Sequence, residues 1–203
     1  MVGQADRRTI LVTSLLVLGG LIALYSASAP FSLRHLGSDT SMVLRQAVAA
    51  VVGVGAVKYA LVSVEPIKTV SFTWDRVLDF ERNSAPFIQY AHARCCNILK
   101  KAGEMPSEAY PSLLSNSLER ALLLKVARYP ETVADAADSL RPNAVAEYAN
   151  ATADQLNTFY AALPVIRADT EDLRAARLHL VNSVRIVLRN ALGLLGIDAP
   201  ERM

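Results

Sequence analysis

The sequence is poor in the residues that build disulfide frameworks and metal centres. It contains only two cysteines, the adjacent Cys95 and Cys96, and three histidines. Two adjacent cysteines cannot form a disulfide framework, and no Cys or His pairs have the spacing of zinc ligands. We therefore expect no metal site, and we expect reduced thiols of which one faces the core.

Charge is also scarce, and it is unevenly distributed. Charged residues make up 20% of the 203 residues and hydrophobic residues 52%, with a net charge of +2. This balance excludes a general polyanion-binding protein, and the apolar content excludes a wholly disordered chain. Residues 9–33 carry no charged side chain at all. The N-terminal quarter is therefore expected to differ in kind from the rest of the chain.

The uncharged N-terminal stretch predicts a membrane span. Residues 10–29 are predominantly apolar, and about 20 such residues cross a bilayer as a helix. Arg7 and Arg8 precede the stretch, which favours a cytoplasmic N-terminus. We therefore expect residues 1–50 to form a hydrophobic, span-like segment that contacts a membrane through residues 9–29. A cleaved signal peptide stays open, because residues 25–29 contain small side chains that a peptidase accepts.

Three short motifs and the apolar run in this quarter resemble a known membrane family. Asp6-Arg7-Arg8, the apolar run, Tyr25-Ser26-Ala27-Ser28 and Leu44-Arg45-Gln46 are similar to the first span and following loop of the SEDS family of cell-wall glycan polymerases. The resemblance covers residues 6–52. The later spans and the acidic catalytic loop of that family are absent from the sequence, so the polymerase activity is not carried over.

The remainder of the chain predicts an all-α bundle of about five helices. Ser, Asn and Asp residues mark the helix starts, and Pro and Gly residues mark the ends. Ser84, Asn143 and Asp169 are the expected starts of three helices, and Gly103 and Gly196 are expected ends. The predicted helices cover residues 84–103, 117–129, 132–140, 143–164 and 169–196. Residues 68–74 alone have a short strand-like alternation.

Four segments carry a second and more extensive resemblance. They are GVGAVKY at 53–59, FTWDRVLDFE at 72–81, NSAPFIQYAHAR at 83–94 and LGLLGIDAPERM at 192–203. Their order and spacing resemble the C-terminal portion of archaeal-type arginyl-tRNA synthetases, including the DALR anticodon-binding domain. The tetrapeptide that names that domain is replaced here by Arg-Ala-Ala-Arg at 174–177.

The resemblance implies a division of the chain and a partner. Residues 85–203 correspond to the DALR anticodon-binding helical domain, and 51–84 to a remnant that links to a missing catalytic domain. The implied partner is an arginine-accepting tRNA, and the implied compartment of this domain is the cytoplasm. The intact family enzyme uses ATP, whereas we expect no cofactor in this chain.

The elements that would bind ATP are missing from these 203 residues. No His-Ile-Gly-His-like or Lys-Met-Ser-Lys-Ser-like element occurs, and no Rossmann pattern is present. Gly53 and Gly55 lack a third glycine and a preceding strand, so we expect a packing feature rather than a nucleotide loop. The sequence predicts no catalytic residue and no aminoacylation by this chain alone.

Candidate tRNA-binding residues follow from two sources. On a helical wheel of residues 169–196, four arginines fall within an arc of about 120°, which indicates either a phosphate-binding stripe or a solvated face. Tyr160 is a candidate stacking platform, whereas the adjacent Phe159 is expected in the core. The resemblance adds Tyr90, Arg94 and the terminal Met203. His92 is expected to be a hydrogen-bonded structural residue rather than a catalytic base, because no paired nucleophile or carboxylate accompanies it. The four arginines are Arg174, Arg177, Arg185 and Arg189.

Two hypotheses follow, and they differ in the membrane topology that each requires. The first is a tRNA-binding module with an unrelated N-terminal segment, and the second is a membrane-protein fragment with an appended helical domain. A single inserted span would place the bundle outside the cell, away from tRNA. A second span over residues 46–64 would return it, but it would bury Lys58 in the bilayer at about 2.5–3.5 kcal/mol. We infer a fusion or gene-assembly junction near residues 47–53.

Overall fold

The computed structural model describes residues 41–203 except 66, 70–72, 78, 80 and 82. The predicted membrane span at 10–29 and most of the SEDS-like region at 6–52 lie outside the described residues. The chain divides into two units, residues 1–50 and 51–203. Every candidate tRNA-binding residue belongs to the second unit.

Helices account for all the regular secondary structure of the described residues. A long helix spans the expected junction near residues 47–53. A single helical turn begins at Trp74, the last residue of the stretch 68–74 with strand-like alternation. The helices are α1 (Ser41–Val62), α2 (Trp74–Val77), α3 (Ala85–Ala102), α4 (Ser117–Ala127), α5 (Tyr129–Asp138), α6 (Pro142–Ala162) and α7 (Glu171–Leu194), with a 3₁₀ turn at Pro111–Leu113. The all-α prediction is confirmed. The five predicted helices correspond to α3 to α7.

The helix ends show which of the predicted caps are correct. The Ser84 hydroxyl accepts a hydrogen bond from the Phe87 N–H, and Gly103 ends α3 with a positive φ of 83°, as predicted. The predicted cap Asn143 is wrong, because α6 begins at Pro142, whose missing N–H costs nothing in a first turn. The cap of α7 is Thr170 rather than Asp169, since its hydroxyl accepts from the Leu173 N–H.

Helices α3, α6 and α7 form the centre of the bundle. Each of them packs against the other two, and α4 and α5 cover α6 from the side. Small side chains on these helices, Ala91, Ala146, Ala149, Ala153 and Ala191, are fully buried and allow close helix contacts. The largest fully buried side chains between them are Phe159, Ile88, Leu156, Leu178, Leu188 and Leu192. Truncating one of these leucines to alanine would cost about 2–5 kcal/mol.

The second half of α1 is an element of this unit. Val52, Ala56 and Tyr59 recur at helical spacing and are buried, and the Tyr59 hydroxyl donates to Asn83 Oδ1 at 3.2 Å. Within the described residues, the stretch 45–62 is also the one helical window apolar and long enough to cross a bilayer. Because core helices of soluble proteins meet the same criteria, this composition by itself assigns no span.

Candidate functional site

Helix α3 presents two of the candidate residues on its outer surface. Tyr90 and Arg94 are one turn apart, so their side chains lie on the same side of the helix. Gln89 and His92, which alternate with them, are buried on the inner side. The anchored N-terminus of α3, with Ser84 capping and Pro86 in the first turn, holds this register against the bundle.

Arg94 lies between two tyrosine rings. Its guanidinium carbon is 4.8 Å from the Tyr90 ring centroid and 5.6 Å from the Tyr160 ring centroid. Its Nη1 also donates to Asn157 Oδ1 at 2.6 Å, one turn before Tyr160 on α6. Tyr90 and Tyr160 are both about two-fifths exposed, so aromatic surface beside the guanidinium faces solvent. Such planes are what an unpaired base stacks on.

The C-terminal segment lies beside this surface. Gly196, with a φ of 68°, turns the chain after α7, and Ile197 is then buried in the core. Gln89 Nε2 donates to the Asp198 carbonyl at 2.8 Å, and His92 Nδ1 donates to the Pro200 carbonyl at 2.9 Å. The last three residues of the chain are therefore brought to the side of α3 that carries Tyr90 and Arg94.

The two tyrosines, Arg94 and the chain terminus line a single open groove of about 820 Å³. This volume lies in the range of about 300–1,000 Å³ that is usual for ligand-binding clefts. Four basic side chains border the groove against one acidic one, Glu201. The basic residues are Arg94, Lys100, Lys101 and Arg202. Their charge favours an anionic ligand.

Burial and nearby cations set the electrostatics beneath the groove. Desolvation lowers the pKa of His92, the hydrogen bond to the Pro200 carbonyl opposes this, and Arg185 and Arg189 lower the pKa further. The ring is therefore neutral, and its Nδ1 carries the proton that faces the Pro200 carbonyl. Burial raises the pKa of the Cys95 thiol to about 12, and it also raises the pKa of Cys96. The expectations of a core-facing thiol and of a structural His92 are confirmed.

The four arginines of α7 do not form one surface, which corrects the predicted stripe. Arg177 is buried, because its Nε donates to Glu119 Oε1 at 2.7 Å and its Nη1 donates to the Pro164 carbonyl. Arg174 is held by the Ala102 carbonyl at 2.9 Å and by Glu171. Arg185 donates to Asn182 Oδ1, and Arg189 is exposed. None of the four lines the groove.

The structure thus brings together Tyr90, Arg94, Tyr160 and Met203 on one groove. Of the α7 arginines, Arg185 comes near it, since its side chain hydrogen-bonds Cys96 of the groove lining. Phe159 is fully buried, as predicted from its place beside Tyr160. The sequence analysis missed Lys100, Lys101 and Arg202 on the groove. The two lysines lie in the last turn of α3, shortly after the segment 83–94. Their place on the same helix as Tyr90 and Arg94 could have identified them as candidates.

Comparisons with known proteins give a consistent result. Residues 88–203 match the family described as the DALR anticodon binding domain. The arginine–tRNA ligase of Methanosarcina barkeri is 47% identical over 170 residues, which are 81% of this chain and 30% of the ligase. The arginine–tRNA ligase of Pyrococcus abyssi is 46% identical over 163 residues, which are 78% of this chain and 26% of the ligase.

A solved structure agrees with these relatives. The arginyl-tRNA synthetase of Thermus thermophilus has 32% sequence identity and a TM-score of 0.72, and the match covers 90% of this chain and 31% of that one. The chain therefore spans about a third of the length of the proteins it matches.

Proposed function

We propose, since this chain belongs to the DALR anticodon binding domain family, that it binds the anticodon arm of an arginine-accepting tRNA. One observation carries the proposal: Arg94 stacked between Tyr90 and Tyr160, on a groove rimmed by basic side chains. An anticodon presents unpaired bases with phosphates close by, and this surface offers planes for the former and cations for the latter.

Each groove residue has a proposed role. Tyr90 and Tyr160 stack on bases, and Arg94 keeps the two rings apart and adds its own plane. Met203 gives an apolar contact at the end of the groove. Lys100 and Lys101 neutralise phosphates. Arg185 and Arg189 are proposed as outer phosphate contacts, whereas the burial of Arg177 supports a structural role for that residue.

Binding to an arginine tRNA tests this proposal. The full chain should bind an arginine tRNA more tightly than the same tRNA with a replaced anticodon. Tyr160→Ala should weaken binding at every salt concentration by about 1–3 kcal/mol, the usual contribution of one stacked base. Equal affinity for both tRNAs would contradict recognition of the anticodon.

The proposed activity stops at binding. The 203 residues contain no element that would hold ATP, so we propose that the chain alone does not activate arginine. Arginine-dependent exchange of pyrophosphate into ATP, in a preparation free of host synthetase, would contradict this. We also expect weaker tRNA binding than that of a relative three times as long, since contacts made outside this domain are missing.

For the N-terminal quarter we propose membrane contact through residues 9–29. The helical unit shares the cytoplasm with tRNA only if this segment does not cross the bilayer as a single span from a cytoplasmic N-terminus. The support is the uncharged stretch at 9–33 and its resemblance to a SEDS-family span. Membrane fractionation compares the full chain with a chain lacking residues 1–40. Recovery of both in the soluble fraction would refute the membrane contact and leave the tRNA-binding proposal in place.

A further inference from the structure

The C-terminal segment is attached to α3 by two side chains that solvent does not reach. Gln89 and His92 are 0% and 1% exposed. They are three residues apart on α3, and their acceptors, the carbonyls of Asp198 and Pro200, are two residues apart on the C-terminal segment. Two separate hydrogen bonds therefore fix the position of the segment along the helix.

Burying the polar side chains of Gln89 and His92 in the bundle interior costs stability. The Gln89 Oε1 atom is buried and has no hydrogen-bond partner among the described residues. An unpaired buried oxygen costs about 1–3 kcal/mol, so an apolar side chain of the same size would stabilise the bundle better. His92 is likewise buried beside Arg185, Arg189, Glu201 and Cys96. What both side chains supply is a donor directed at the C-terminal segment.

The same segment supplies part of the groove. Glu201, Arg202 and Met203 follow the anchored Pro200 directly and line the groove opposite Tyr90 and Arg94. These three residues are exposed. Their placement therefore depends on the two hydrogen bonds that precede them in the chain.

We propose that Gln89 and His92 are positioning residues for RNA binding: they hold the C-terminal segment so that Arg202 and Met203 form one wall of the groove. The proposal rests on the proposed tRNA-binding function. Neither side chain lines the groove, so both act through the segment. The prediction that separates this role from a general structural one is that their effect on RNA affinity disappears when residues 201–203 are absent.

A double-mutant cycle tests this in the full chain. His92→Ala should lower the affinity for an arginine tRNA about three- to tenfold, which corresponds to the loss of one hydrogen bond. In a chain that ends at Pro200, the same substitution should cause no further loss. His92→Asn should restore most of the affinity, because its amide N–H lies at the same distance from the backbone as Nδ1.

Gln89→Met is the second variant, since it keeps the volume and removes the donor. It should behave as His92→Ala does, and circular dichroism at 222 nm identifies the variants that fold. An equal loss of affinity in the long and short chains, for the variants that fold, would overturn the positioning role.

A measurement without RNA separates failure of this proposal from failure of the proposed function. Carboxypeptidase Y can remove the exposed residues 201–203 from an attached segment, but release of Pro200 requires the segment to detach, and mass spectrometry follows the release of Pro200. Faster release from His92→Ala and Gln89→Met than from the unmodified chain is the expected result, even for a chain that binds no tRNA. Equal rates of release would overturn the anchoring of the segment.

Discussion

The Nε atom of Arg177 donates to Glu119 Oε1 at 2.7 Å, and both side chains are buried between α4 and α7. The same carboxylate accepts the backbone N–H of Asn116 and so completes a capping box at the start of α4. Arg177 also donates to the Pro164 carbonyl in the connection between α6 and α7. One buried ion pair therefore joins three parts of the bundle.

Removing the charge of Glu119 should strongly destabilise the helical unit. Glu119→Gln leaves the Arg177 guanidinium buried without its counter-ion, and such losses cost about 3–5 kcal/mol. Urea unfolding of the full chain, followed at 222 nm, measures this. Glu171→Gln is the matched control, because it removes the exposed partner of Arg174 and should cost less than about 1 kcal/mol. Similar unfolding midpoints for the two variants would contradict the prediction.

The buried pair also shows where sequence reasoning failed. Arg177 was grouped with three other arginines by residue type, although on the helical wheel it lies only about 40° from the centre of the apolar face. Arg189 lies about 160° from that centre and is exposed. A helical wheel groups arginines by their position on one helix, and it cannot predict a buried partner such as Glu119, which is 58 residues away.

Other parts of the site were predictable because their causes are local. Ser84, Pro86 and Gly103 determine the ends of α3 through neighbouring backbone groups, and the contrast between Phe159 and Tyr160 follows from the phenolic hydroxyl. The attachment of the C-terminal segment was not predictable. Its acceptors are backbone carbonyls 108 and 109 residues from their donors, and every residue carries such a carbonyl.

Gly55 should be required where Gly53 is not. A Cβ at Gly55 would meet Gln89 Nε2 and Ile197 Cγ2 at 3.0 Å each, whereas a Cβ at Gly53 meets nothing within 4 Å. Both positions are in α1, so alanine gains about 1 kcal/mol of helix propensity at either. Gly53→Ala should raise the free energy of unfolding. Gly55→Ala should have a lower free energy of unfolding than Gly53→Ala, and it should loosen the C-terminal segment. Equal gains at both positions would contradict the close contact.

The helical unit should lose stability in acid. Because burial lowers the pKa of His92, the folded state resists a proton that the unfolded chain takes up near pH 6.5. The stability contributed by the neutral ring is complete above pH 6.5 and is lost progressively as the pH falls below it. Unfolding measured between pH 8 and 5 should show this loss, and His92→Asn should reduce it. An identical pH profile in the two chains would contradict the assignment to His92.

The lysines at the end of α3 should determine part of the salt dependence. Each phosphate contact on a single strand adds about 0.7 to the slope of log affinity against log salt. Replacing Lys100 and Lys101 by Gln should therefore flatten the slope by up to about 1.4. Arg120→Gln is the control, since Arg120 is exposed on α4 and does not line the groove. A slope unchanged by the lysine substitutions would place the phosphates elsewhere.

Arg94→Lys should separate charge from shape in the groove. Lysine keeps the positive charge, but it has no planar group to fill the space between Tyr90 and Tyr160, and it cannot reproduce the geometry of the bond to Asn157. We expect the affinity for an arginine tRNA to fall about tenfold, which reflects a stacking and cation–π loss of about 1–2 kcal/mol.

The salt slope of Arg94→Lys should stay that of the unmodified chain, because no charge is lost, whereas Arg94→Gln should lower both the affinity and the slope. Arg94→Lys should also weaken binding of the arginine tRNA and of the tRNA with a replaced anticodon by a similar factor, since every base has a face that can stack. Filter binding of the two tRNAs across a series of salt concentrations measures all three quantities. If Arg94→Lys binds both tRNAs as the unmodified chain does, Arg94 contributes charge alone, and base stacking must be assigned to the tyrosines without it.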